Sequence, residues 1–381
     1  MAARWVQAND TPEHEMKVKA KVVLTDCAWD SIDIGNRILG EIADSRDTLA
    51  GLQSGAPGEV RRVLEGQWPI NFVNSAVRGK EKTGLPCNDL PAPNLERYKM
   101  KLCRYGEFGA ERPAIFDEQG ALRDLSGYVS DITPAHLSAS ELEKLSKIRL
   151  SELPLVPGNP RIGAPVSGIS KFIAIGLNYR DHAEEAGMAI PTEPIIFMKS
   201  TTSIGGPNDD IVVPPHSTKL DWELELGVVI GKKAQYISEE EALDYVAGYC
   251  VVNDVSERSF QLQSSQWDKG KGCDTFGPIG PWLVTKDEVP DPQNLNMWLD
   301  VNGERRQGGN SRTMIFTVKE LVAYCSRYMT LLPGDVITTG TPPGVGMGMK
   351  PEPTYLNKGD VVTLWIEGLG TQKQLIVERQ V

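Results

Sequence analysis

Beyond Lys171 the chain runs as a series of short apolar stretches: KFIAIGLN, PIIFMKS, WELELGVVIG, VAGYCVVND, GPWLVT, NMWLDVNGE, DVITTGT and DVVTLWIEGLG, separated by glycine and proline. Runs this short, with few long helical patterns between them, predict an α+β to mainly β fold. Its core is a rolled or barrel-like mixed sheet rather than a doubly wound parallel one. The turn signals VNGE (301–304) and IEGLG (366–370) predict hairpins. One run stands apart. LDWELELGVVIG (220–231) begins by alternating, with Asp221, Glu223 and Glu225 on one parity and Trp222, Leu224 and Leu226 on the other. It then continues apolar on both parities, which is the pattern of a strand buried on two faces.

Upstream, the pattern divides the chain in three. Residues 1–99 begin with a short strand, KVVLTD, and a helical pattern, IDIGNRILGEIAD, and end in the turn-rich GLPCNDLPAPN, which reads as a linker. Residues 100–165 read as a small α+β subdomain. It has a hairpin signal at FDEQGAL and a helix at SASELEKLSKI, where Ser138 is the expected N-cap. The stretch LPLVPGNPRIGAPVSG, with four prolines and three glycines, closes it, and residues 166–381 form the expected catalytic β-roll.

At 381 residues the chain can bury a sizeable core without disulfide staples. Its 51 acids against 40 bases disfavour a nucleic-acid or anionic-membrane surface and favour a small ligand or a divalent cation. The six cysteines are scattered, without C-x-x-C, so reduced thiols and a cytoplasmic protein are expected. No signal-peptide pattern and no apolar run of membrane-spanning length is read in the sequence.

Acids at period two are ordinary on a wet strand face, yet Glu223 and Glu225 precede an apolar flank, and a second apolar run, YVAGYCVVND, ends on Asp254. Carboxylates gathered at the ends of buried strands repel and desolvate one another unless a cation sits between them. An oxygen-only ligand set suits Mg²⁺ or Mn²⁺, or Ca²⁺, better than zinc. In LNYRDHAEEAG (177–187), His182 and Glu185 stand three apart on a short helix, the arrangement of a general base oriented by a carboxylate. WDKGKGCDTFGP (267–278) places Lys269 and Lys271 on a glycine-rich loop able to reach an anion. TTGTPPGVGMG (338–348) reads as a shaped loop whose amides and Thr341 hydroxyl suit a carboxylate. There is no G-x-G-x-x-G, G-x-S-x-G or H-E-x-x-H.

Taken in order over residues 100–381, GLNYRDHAEE, IIFMKS, DWELELGVVIG, VNDVSER, WDKGKGCDTFGPIGP and TTGTPPGVG resemble the fumarylacetoacetate hydrolase family. The resemblance implies a mixed β-roll assembled as a homodimer or higher homo-oligomer. It implies Mg²⁺ (or Mn²⁺) ligands at Glu223, Glu225 and Asp254, a catalytic dyad at His182 and Glu185, and substrate contacts at Arg258, Gln261, Lys271 and Thr341. The close form of the motifs is similar to the 2,4-diketo-3-deoxy-L-fuconate hydrolase branch, also labelled ureidoglycolate lyase-like. That implies hydrolysis of a 2,4-dioxo acid to pyruvate and a second acid such as lactate, with Lys271 stabilising the departing enolate. Ureidoglycolate lyase or oxaloacetate decarboxylase chemistry is the alternative within the family, and a catalytically silent binding protein the alternative outside it. Residues 1–99 resemble the two ends of the catalytic part of a D-2-hydroxyacid dehydrogenase whose nucleotide-binding middle is absent, which implies no NAD.

Overall fold

The strand at the heart of the molecule is the one with the unusual pattern. In the computed structural model, which describes residues 100–379, Leu224–Ile230 is buried at every position. It pairs antiparallel with Val246–Asn253 on one side and Val336–Thr338 on the other. Apolarity on both parities has a direct cause. Val228 faces one hydrophobic core and its neighbour Val229 faces another, because successive side chains leave opposite faces of a sheet. The expected elements of residues 1–99 lie outside the described residues.

This strand is the middle of a large mixed sheet. From Leu224–Ile230 the sheet extends through Val246–Asn253, Gly277–Thr285, Lys101–Tyr105 and Arg112–Phe116 to Leu122–Asp124. In the other direction it runs through Val336–Thr338 and Phe172–Gly176 to Ile195–Lys199. The Val336–Thr338 and Phe172–Gly176 pair is parallel, and its neighbours are antiparallel. A second, five-stranded sheet holds the hairpins Asn296–Val301/Glu304–Asn310 and Val361–Ile366/Gly370–Glu378, as VNGE and IEGLG predict. Asn302 and Gly303 carry the positive φ values (54° and 79°) that a tight two-residue turn requires.

Leu224, Leu226 and Val228 pack toward Leu299, Leu364 and Ile366 of the second sheet and toward the helix Val318–Tyr328. On the opposite face, Val229 and Val252 pack with Leu102, Ile115 and two leucines, Leu142 and Leu145, of the helix Ala139–Ser146. That helix is capped as expected, with the Ser138 hydroxyl accepting the Glu141 amide at 3.3 Å. The architecture is the expected mixed roll. Among the described residues no helix is long and apolar enough to cross a membrane.

One local expectation is corrected. WDKGKGCDTFGP does not hold its lysines on a loop: Asp268–Lys271 forms a helical turn. Gly270 sits so close to the Gln261 backbone that a Cβ there would lie 2.5 Å from its nitrogen. Lys271 is thereby driven into the interior, whereas Lys269 stays exposed and bonds Gln263 at 2.8 Å.

Candidate metal centre and catalytic dyad

Register alone gathers the acids. Leu224 pairs with Asn253 and Glu225 with Val252, so Glu223 stands opposite Asp254, and the Asp254 amide donates to the Glu223 carbonyl at 2.8 Å. Glu225 is on the strand and Glu223 immediately precedes it, so the two, two residues apart, leave the chain on the same side. One carboxylate oxygen from each of Glu223, Glu225 and Asp254 lies within 4.8 Å of the others, and all three residues are buried. Among the described residues this is the one such group of His, Cys, Asp or Glu side chains.

Much of the charge is balanced by the protein itself. Lys271 Nζ bridges Glu223 Oε2 at 2.5 Å and Asp254 Oδ2 at 2.8 Å. Lys199 Nζ donates to Asp254 Oδ1 at 2.6 Å and to the Lys271 carbonyl at 2.5 Å. Arg258 reaches Glu223 Oε1 with Nη2 at 2.6 Å, Asp221 Oδ2 with Nε at 2.8 Å and Gln261 Oε1 with Nη1 at 3.0 Å. Burial would push the Glu223 carboxyl up, but Lys271 and Arg258 outweigh it and hold it down to about 2. Burial likewise opposes the charge on Lys271, and Asp254 and Glu223 overcome it, raising its pKa. Lys199 goes the other way: burial lowers it, with Lys271 adding repulsion against the pull of Asp254.

Glu225 is the member left over. It accepts hydrogen bonds from Thr338 Oγ1 at 2.5 Å and the Gly340 amide at 2.8 Å, and has no ion-pair partner within 4.0 Å among the described residues. Burial, then the charges of Asp254 and Glu223, push its pKa well up. Four buried carboxylates (Asp221, Glu223, Glu225, Asp254) face three buried cations (Lys199, Arg258, Lys271). A hard cation held by Glu223, Glu225 and Asp254 would supply the positive partner that Glu225 lacks, and the all-oxygen donor set fits Mg²⁺ or Mn²⁺. The cations expected beside the cluster include the protein's own: lysine and arginine already shield two of the three carboxylates.

The amides of TTGTPPGVGMG are taken up by carboxylates of the protein itself. Gly340 serves Glu225, Gly344 serves Glu185 at 3.0 Å, and Gly346 and Met347 serve Asp221 at 2.7 and 3.0 Å. The Thr341 hydroxyl donates to the Leu224 carbonyl at 2.9 Å and accepts from Gln307 at 2.8 Å. Gln307 also accepts the Leu224 amide at 2.9 Å, and Asn253 accepts the Glu223 amide at 3.2 Å. These buried amide side chains satisfy strand-end backbone groups that the ladder leaves open, and so fix the backbone that carries Glu223 and Glu225.

His182 and Glu185 lie on the helix Arg180–Ala186, with His182 Nδ1 and Glu185 Oε2 3.3 Å apart. The helix is pinned by buried Ala183 and ends at Gly187, whose φ of 61° suits a glycine C-cap. The dyad makes no hydrogen bond to the carboxylate cluster among the described residues; its link is through Gly344. Sequence reasoning missed Lys199, although the signal was present: a lysine closing the apolar run IIFMK is a charge at the end of a buried strand. Gln307 and Asn253 carried no comparable signal.

The family model described as fumarylacetoacetate (FAA) hydrolase C-terminal matches residues 171–377. A provisionally named hydrolase of Burkholderia orbicola (strain MC0-3) is 63% identical over 276 residues, covering 72% of this chain and 98% of that protein. Fumarylacetoacetate hydrolase from psychrophilic Exiguobacterium antarcticum superposes with a TM-score of 0.67 at 36% identity, covering 74% of this chain and 100% of that one. Maleylpyruvate hydrolase from Sphingobium sp. SYK-6, solved with manganese(II) and pyruvate, superposes with a TM-score of 0.63 at 28% identity and the same coverage.

Proposed function

Because the chain belongs to the fumarylacetoacetate hydrolase family, we propose that it hydrolyses a carbon–carbon bond of a 2,4-dioxo acid of the 2,4-diketo-3-deoxy-L-fuconate type. The products are pyruvate and a second carboxylic acid such as lactate. The observation that carries this reading is the buried Glu223, Glu225 and Asp254 cluster, with buried ammonium groups beside it and a His–Glu pair tied to the same glycine-rich loop. The manganese and pyruvate of the Sphingobium enzyme support the metal class and a pyruvate-containing product.

Glu223, Glu225 and Asp254 are the proposed Mg²⁺ or Mn²⁺ ligands, and a cation held there would supply Lewis-acid polarisation of the substrate's oxygens. The chain's own groups do the rest. His182, oriented by Glu185, takes a proton from a water that adds to the C4 carbonyl. The C3–C4 bond breaks and its electron pair passes to the pyruvate half as an enolate, whose negative charge the Lys271 ammonium faces. The proton returns from the imidazolium to C3, and the added water oxygen remains in the second acid. Gln261, Arg258 and Thr341 complete the proposed substrate side, with Arg258 and Thr341 doubling as supports of Glu223 and the Leu224 carbonyl.

The test is a panel of 2,4-dioxo acids, oxaloacetate and ureidoglycolate, assayed with Mg²⁺ or Mn²⁺ while pyruvate and co-product are both followed. Equal release of pyruvate and a second acid from a dioxo acid is expected; faster release of CO₂ from oxaloacetate overturns the hydrolase assignment. His182→Ala should lower kcat by roughly 10²–10⁴-fold, the usual weight of a general base. Full activity in that variant would remove the dyad from the mechanism.

A further inference from the structure

We propose that Asp221 is a positioning residue that couples occupancy of the metal centre to placement of the His182–Glu185 dyad. This rests on reading the carboxylate cluster as a metal centre. Asp221 is fully buried, and its carboxylate joins two structures. Oδ2 accepts from Arg258 Nε at 2.8 Å, and Arg258 in turn holds Glu223. Oδ1 accepts the Gly346 amide at 2.7 Å and Oδ2 the Met347 amide at 3.0 Å. Just upstream in that loop, the Gly344 amide holds Glu185.

The loop is gripped at its other end as well, since the Gly340 amide is bonded to Glu225. Two proposed ligands therefore reach the segment from which Glu185 hangs: Glu225 directly, and Glu223 through Arg258 and Asp221. The segment is tightly packed. A Cβ at Gly344, where φ is 103°, would lie 2.0 Å from the Arg306 carbonyl oxygen, and one at Gly346 would lie 2.0 Å from that of Thr354. Trp222 adds a further tie, its Nε1 donating to the Gly344 carbonyl at 3.1 Å.

Charge balance supplies the direction. Without a cation Arg258 divides itself between Glu223 and Asp221. A divalent ion at Glu223 draws that carboxylate's charge, so the Arg258–Asp221 pair strengthens and the loop, with Glu185, tightens. Such coupling is reciprocal: whatever holds Glu185 must also strengthen metal binding.

Mn²⁺ affinity, measured by water-proton relaxation, and hydrogen exchange of segments 180–187 and 340–348 test this on the full chain. In the wild type Mn²⁺ should slow exchange in both segments. Glu185→Ala, which touches no proposed ligand, should weaken Mn²⁺ binding roughly 5-fold or more, the low end of typical allosteric coupling. In an Asp221→Asn background, where only the Glu225–Gly340 route is left, Glu185→Ala should have a clearly smaller effect, and Mn²⁺ should protect 180–187 less than in the wild type. Unchanged Mn²⁺ affinity in Glu185→Ala overturns the coupling even if Asp221→Asn fails to fold. An equal effect of Glu185→Ala in both backgrounds removes Asp221 from the route. A wild type that binds no Mn²⁺ overturns the metal-centre reading itself, and this proposal with it.

Discussion

Glu225→Gln should abolish tight metal binding while leaving the metal-free protein at least as stable as the wild type. The carboxamide oxygen can still accept from Thr338 and Gly340, so the strand keeps its anchors. What disappears is a buried negative charge that no lysine or arginine pairs among the described residues and whose pKa burial pushes well up. Loss of a direct ligand should lower affinity by more than the roughly 10–100-fold seen when an outer partner of a ligand is lost. The pH dependence follows the same sign. A carboxyl whose folded pKa is raised binds more protons folded than unfolded, so the metal-free wild type loses stability as pH rises from about 4.3, the unperturbed glutamate value, toward the raised one. Glu225→Gln lacks that decline. Metal binding must expel the proton, so wild-type affinity rises with pH over the same window. Calorimetric titration with Mn²⁺ and metal-free thermal unfolding across pH check both halves; a destabilised Glu225→Gln that still binds Mn²⁺ would contradict the account.

Lys271→Met should do the reverse, destabilising the metal-free protein and making its stability depend on metal. The ammonium bridges Glu223 and Asp254 at 2.5 and 2.8 Å, with a side chain only 2% exposed. Removing one partner of a buried ion pair typically costs about 3–5 kcal/mol, because the remaining charge stays buried. Arg258 on Glu223 and Lys199 on Asp254 soften the loss, which places the expectation toward the lower end. Saturating Mg²⁺ or Mn²⁺ should restore part of the stability, since the cation then compensates the same two carboxylates, and should raise the variant's Tm by more than the wild type's. Turnover should stay low even when the metal is bound, because the ammonium proposed to face the enolate is gone. Metal-free unfolding unchanged from the wild type would show that Lys271 does not balance the cluster.

Much of this site is legible in the residue order. Two-faced burial of the strand after Glu225 is written in LGVVIG, because a sheet covered on both sides leaves no polar parity. The hairpins are readable for a related reason: Asn302–Gly303 takes backbone angles that few other pairs accept. The Glu, Glu and Asp set, and the His–Glu spacing, follow from residue type and period. The helical turn around Lys271 is not readable, because a segment with glycines on both sides of the lysine carries a loop signature that only packing against Gln261 overrides.

Local pattern and motif order are enough to set the family, the mixed roll and the identity of the acidic cluster. How the charges are shared is settled only in three dimensions. Lys199 and Lys271 arrive from segments 72 residues apart, and Arg258 divides between two carboxylates. The glycine-rich loop turns its amides to the protein's own acids. Electrostatic partnership depends on distance in space and on burial, and neither is encoded by spacing along the chain.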